Sequence, residues 1–264
     1  VWVLASVVAL MLDMTKPLTQ WRPILNERFV TFAVVIAASA FMAREFWQKT
    51  ADEISCTVIT FVASLFVFWL LAREVPAMFG WAGWFADYQG EAAWLTVFGV
   101  WSLVALALLL LGLRAEPLQG LVATAWLVLV GTATVAVILG MSVVTVEWRW
   151  LLNPRFINSV VIVGALTAAT IVSVRAEGKS EWLMPAVFSL AAAILGIVAL
   201  SEEIYAAFWL WKIPSPETWE TAAWFSIAGF WGIASFAVWL IGLRWQFMGL
   251  RVMGVGVWFL AALM

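Results

Sequence analysis

Apolar runs of 18 residues or more recur along the whole 264-residue chain, and no other feature limits its fold as severely. A run of that length spans the hydrocarbon core of a bilayer as a helix. In lipid every backbone N–H and C=O needs a protein partner, so only helices and closed barrels cross. The runs lack the period-2 alternation of barrel strands, and helices are expected. Composition agrees: 65% of residues are hydrophobic and 11% charged, whereas soluble domains are about 25% charged.

The pattern predicts an all-α, polytopic transmembrane protein of nine segments. The first, residues 1–14, reads as truncated. The others are 29–44, 55–78, 92–113, 117–141, 156–174, 183–204, 219–243 and 248–264, joined by short connections with Pro, Gly and charge. Pro76 and Pro185 are expected within a turn or so of helix ends, and no proline is expected to break a helix near mid-membrane. The chain starts at Val1 with no basic leader, and both ends fall inside apolar runs. The expectation is a piece of a longer polypeptide.

A nine-residue stretch, Trp21-Arg-Pro-Ile-Leu-Asn-Glu-Arg-Phe29, returns as Trp148-Arg-Trp-Leu-Leu-Asn-Pro-Arg-Phe156, and each copy opens an apolar run. Further on, Trp94, Gly99, Trp101 and Gly112-Leu113-Arg114 return 130 positions later as Trp224, Gly229, Trp231 and Gly242-Leu243-Arg244. Trp126 returns as Trp258, and Glu74 as Glu203. The pattern predicts a tandem direct repeat of four-helix units, 15–141 and 142–264, with 1–14 as the last helix of a preceding unit. An even helix count brings both copies into the membrane in the same sense, related by an axis along its normal. A linear stack of units is the expected outcome.

Asn26 and Asn153 directly precede apolar runs, where the first helical amides lack partners, so both are expected to be N-caps. Pro154 and Glu27 suit the first helical position. Arg28 and Arg155 are less ordinary, because the positive end of the helix dipole disfavours a cation. Arg22 and Arg149 add to the same potential. The next helix of each unit returns to this side carrying Glu74, or Glu202 and Glu203. Pairs Arg28–Glu74 and Arg155–Glu203 are therefore expected to clamp adjacent helices. The alternative is that the arginines bind an anionic headgroup at a helix N-terminus.

The thirty charged residues otherwise fall near helix ends or in connections, so no proton relay or ion pathway is expected. Central polar residues such as Thr60, Ser64, Ser102, Thr132 and Thr167 are expected in intrahelical or interhelical hydrogen bonds. Gly99, Gly229, Gly254, Gly256 and the small residues of 226–235 suit close helix approach. Twenty Trp stand against two Tyr. Two motif-side loops, 80–91 and 205–220, combine Trp81, Trp84, Trp209, Trp211 and Trp219 with acidic groups. Short interfacial helices are the simpler reading and a carbohydrate or headgroup platform the alternative. Asp87 and Glu91 are a weak acid–base candidate.

No His is present, which removes histidine-ligated haem, most catalytic zinc sites and histidine bases. Cys56 is the only cysteine, so no internal disulfide can form. No cofactor, metal or catalytic residue is assigned. A net charge of −2 implies no nucleic-acid partner. Each side of the membrane holds seven Lys/Arg. Setting the motif arginines aside as structural leaves the excess with Arg44, Lys49, Arg114, Arg175, Lys179, Arg244 and Arg251, which places the motif side outside.

The motifs Leu25-Asn-Glu-Arg-Phe29 and Leu152-Asn-Pro-Arg-Phe156, with Glu74, Glu203 and the closing pattern Ala222-Ala-Trp-Phe-Ser, Gly242-Leu-Arg, Leu250-Arg and Gly254, resemble a family. It is the long bacterial multi-pass membrane proteins catalogued as domain of unknown function 2339. The resemblance covers nearly the whole chain and implies a helical array that continues past both ends. It implies no catalytic residue or substrate. Gln119 stands where the second copy has Arg251.

The functional expectation is a non-enzymatic scaffold or lipid-contacting subunit in the bacterial cytoplasmic membrane. Its partners would be membrane lipids and other membrane subunits or further repeats. The alternatives are a carrier or lipid- or glycan-handling protein with a headgroup site at the motif side, and a membrane enzyme on a lipid-linked substrate.

Overall fold

A computed structural model describes residues 26–50, 52–82, 89–114, 118–140, 153–177, 183–212, 215, 217–244 and 248–263. These form α1 (Glu27–Thr50), α2 (Glu53–Ala82), α3 (Gln89–Gly112), α4 (Gln119–Gly140), α5 (Pro154–Glu177), α6 (Leu183–Trp211), α7 (Trp219–Arg244) and α8 (Met248–Leu263). No strand occurs among them. Seven helices, α1 to α7, are long and apolar enough to cross a membrane. The expected segment 1–14 lies outside the described residues, and α8 has only 16 residues. The chain is an integral membrane protein of the helical type.

Its outer faces carry the reason. Between 11% and 39% of each span is buried. Phe41, Ile54, Ile138, Ile233, Phe225 and Phe259 are more than half exposed. Exposed apolar side chains in such number are stable only against lipid or another apolar partner.

By packing the chain divides at Val128, inside α4, into Val1–Val128 and Leu129–Met264. In the first unit α1 lies on α2 through Phe32 and Leu70, with Phe29, Val35 and Phe66 packed around them. Phe32 and Phe66 meet edge to face at 6.2 Å. Trp101 of α3 meets Phe68 of α2 at 5.7 Å. The first turns of α4 cross α2 where Gly120 faces Thr57, Thr60 and Phe61 so closely that a Cβ would collide with the backbone of Thr57 and Phe61 and the hydroxyl of Thr60. Just beyond, Ser64 and Thr124 share a hydrogen bond of 2.7 Å.

In the second unit α5 lies on α6, α6 on α7 and α7 on α8. Trp231 of α7 donates its indole N–H to Ser201 Oγ of α6 at 2.7 Å. Gly254 of α8 lies against Trp239 and Ser235, with no room for a Cβ. Arg251 donates to the Gly242 carbonyl at 3.1 Å, satisfying an acceptor at the C-terminus of α7. Gly229 and Gly256 face open space, so the expected role in close approach holds for Gly254 but not for these two. A helix face turned to lipid carries no packing constraint that selects glycine.

Several helices outrun their expected ends. The α2 helix continues to Ala82, which puts Pro76 inside it rather than at its edge. Proline removes the bond to the Ala72 carbonyl without ending the helix. The α6 helix runs on to Trp211, so Tyr205 to Trp211 is membrane helix and not loop. The charged pair at Glu202 and Glu203 suggests a boundary from hydropathy alone, but packing partners let the helix pass through it.

Candidate functional site

Asn26 stands immediately before α1, and its Oδ1 accepts the Phe29 N–H at 2.8 Å. Its backbone carbonyl accepts Val30 N–H at 3.2 Å. This is an N-cap, satisfying one donor that the helix cannot satisfy itself. Asn153 does the same for α5, accepting Phe156 N–H at 2.8 Å, while Ile157 N–H bonds its carbonyl at 3.1 Å.

The other half of each amide has a second task. Asn26 Nδ2 donates to both oxygens of Glu74 at 3.0 Å each. Asn153 Nδ2 donates to Glu203 Oε1. The two carboxyl groups are buried, 9% and 3% exposed. A buried carboxylate without a donor costs far more than its hydrogen bond returns. Asparagine is therefore the fitting residue at both caps. Aspartate would cap equally well but would set a carboxylate against a carboxylate. Serine and threonine cap, yet a single hydroxyl cannot reach the amide and the next helix together.

Glu74 and Glu203 sit two turns or more before the ends of α2 and α6, deeper than hydropathy implies. Arg155 and Glu203 both lie near enough to Glu202 to act on it electrostatically. Glu202 Oε1 is buried with no hydrogen-bond partner among the described residues. At the matching place in the first unit stands Arg73, which lies over the Trp69 ring at 5.9 Å. Arg22, Arg149 and the side chain of Arg28 lie outside the described residues, as does the expected Arg28–Glu74 pair. What sequence reasoning missed is the asparagine donor. Its signal was available, since an N-cap uses only the amide oxygen and leaves the NH2 unassigned.

The aromatic candidates divide in the same way. Trp84, and the side chain of Trp81, lie outside the described residues, as do Asp87 and the side chain of Glu91. Trp209 and Trp219 bracket Lys212, whose Nζ lies 5.2 and 4.1 Å from their ring centres. Lys212 has φ 50°, and its N–H bonds the Phe208 carbonyl at 2.8 Å, so it closes α6 in the left-handed region. Tyr205 meets Trp219 at 5.5 Å and Trp224 at 5.8 Å. Trp211 is 57% exposed.

The central hydroxyls bond along their own helices, as expected. Thr60 donates to the Cys56 carbonyl, Ser102 to Phe98, Thr132 to Leu129 and Thr167 to Val163. Cys56 is fully buried and its Sγ lies 3.2 Å from the Ala43 carbonyl. Asp52, another cap missed in the sequence, accepts Ser55 N–H at 3.1 Å and the Ser55 hydroxyl at 2.5 Å. Those bonds hold its carboxyl below the ordinary aspartate range. Among the described residues, no three of His, Cys, Asp or Glu come together to hold a metal. No family model, curated protein or solved structure matches the chain.

Proposed function

We propose that this chain is a non-enzymatic scaffold or lipid-contacting subunit of a bacterial inner-membrane assembly, built from two tandem four-helix units. The observation that carries the reading is the paired fastening. The same asparagine caps one helix and holds the buried carboxylate of the next, at Asn26 with Glu74 and again at Asn153 with Glu203. The two asparagines of the doubled motif are thereby engaged in joining helices. Membership of the bacterial family named above belongs to the same proposal, resting on the doubled motif and the recurring glutamate.

Native membranes dissolved in a mild detergent test the assembly. A scaffold migrates as a defined complex larger than the chain, and Asn26→Ala with Asn153→Ala disperses it. Migration of the native protein as a lone chain sinks the scaffold reading. The second reading, a lipid-handling protein, draws its support from two apolar grooves in the helical bundle.

A further inference from the structure

Each unit contains a groove at the end of the helices away from the motif. In the first unit a cavity of about 390 Å³ lies between α1 and α2, closed by Leu108, Leu118 and Leu121. In the second a cavity of about 540 Å³ lies between α5 and α6, closed by Ile241 and Leu250. The linings correspond. Ile36, Ala40 and Ala43 return 127 positions later as Val163, Thr167 and Thr170. Ala63 returns 129 positions later as Ala192. These are the offsets that relate Asn26 to Asn153 and Glu74 to Glu203.

The walls are apolar in effect as well as in composition. In the first groove Thr60 bonds the Cys56 carbonyl, while Ser64 bonds the Thr60 carbonyl and Thr124. In the second, Thr167, Thr170 and Ser189 bond carbonyls of their own helices. With the hydroxyls engaged, the polar side chains left on the linings are few, and Gln48 at the rim of the first groove is the uncharged amide among them. Each has one arginine on its lining, Arg44 or Arg175, at positions one turn apart in the repeat, since the 127-residue offset takes Arg44 to Ile171 and Arg175 to Gln48. Both are exposed, and among the described residues neither forms an ion pair. The carboxylate next to Arg44, Glu45, is held by Lys49 at 2.7 Å. Arg44 and Arg175 stand in the last turns of spans Phe29–Lys49 and Pro154–Ala176, where long cationic side chains reach the headgroup layer.

We propose that each groove binds one anionic phospholipid, its acyl chain between the two helices and its phosphate at Arg44 or Arg175. The charge is on the rim and the hydrocarbon surface below it, in the order a lipid presents them. The inference rests on the membrane reading above and places lipid at the opposite end from the motif arginines.

The test uses the whole chain purified in a nonionic detergent, with native mass spectrometry during titration by phosphatidylglycerol or phosphatidylcholine of identical acyl chains. Two phosphatidylglycerol molecules should bind per chain, each preferred about fivefold over phosphatidylcholine, the share of one surface arginine. Arg44→Gln and Arg175→Gln should each remove that preference from one of the two. Ala40→Phe and Thr167→Phe, at exposed positions on the groove walls, should each displace one lipid of either kind. Glycerophosphoglycerol, a headgroup without chains, should not compete. Equal binding of the two lipids, an unchanged preference in the double arginine variant, competition by the free headgroup, or a lipid-free dimer would overturn the proposal. Recovery of the native chain in the soluble fraction would instead defeat the membrane reading beneath it.

Discussion

At the scale of single residues, Asn26 and Asn153 have the most specific chemistry. Each amide serves a helix end with its oxygen and a buried carboxylate with its nitrogen. Replacing Asn153 by Asp keeps the cap and loses the donor, so most of the damage should come from Glu203. Asn153→Ala loses both, with an expected cost of about 2–4 kcal/mol, a cap plus a hydrogen bond to a charged group. Thermal unfolding in detergent measures both variants. A double-mutant cycle of Asn26→Ala with Glu74→Ala should show favourable coupling, and additive effects would break the assignment. A smaller residue-scale contrast lies at the indoles. Trp231 has Ser201 as its partner, whereas Trp101, 130 positions earlier, has a buried Nε1 with none among the described residues. The position matching Ser201 is Ala72. Ala72→Ser should stabilise the first unit by about 0.6 kcal/mol, the usual worth of such bonds between membrane helices, and Ser201→Ala should cost about as much.

At the scale of elements, what decides helix contacts is where small side chains permit approach. Gly120→Ala should destabilise by about 1–3 kcal/mol, since the added methyl meets the α2 backbone at Thr57 and Phe61 as well as the Thr60 hydroxyl. Gly256→Ala, facing open space, should be neutral or stabilising by up to about 1 kcal/mol through helix propensity. Equal losses in unfolding experiments would mean that α2 and α4 do not cross at Gly120. The start of α2 carries a pH dependence. Hydrogen bonds from Ser55 lower the Asp52 pKa in the folded chain, so its contribution is present above the unfolded aspartate value and disappears as pH falls through the lowered one. Hydrogen exchange at Ser55 and Cys56 should quicken over that acid window, after correction for intrinsic rates, and Asp52→Asn should flatten the dependence. Helix existence is legible from hydropathy for α1 to α8, but ends are not. The α2 and α6 helices pass beyond Pro76 and Glu203, because neighbouring helices supply partners that a one-dimensional pattern does not contain.

At the scale of the whole molecule, labelling of single cysteines reads which end faces which compartment. Cys56 is buried, so a membrane-impermeant maleimide should leave the native chain unlabelled and give a clean background. With the motif side outside, Glu217→Cys should label in intact cells and Arg114→Cys only after the inner face is opened. The reverse pattern would invert the orientation and move the proposed lipid sites to the other leaflet.

The sequence by itself determined that this chain is helical and lives in a membrane, because runs of uninterrupted apolar residues leave no other way to satisfy a backbone in hydrocarbon. It also marked Asn26 and Asn153 as caps, since capping is local to one turn. Only the tertiary structure decided what the buried glutamates bind, which glycines are contact points and where the grooves lie. Those depend on partners distant in the chain, 48 to 60 residues away for the polar contacts of Glu74, Glu203 and Ser64, and a linear pattern records that a polar group needs a partner without recording which one folding brings to it.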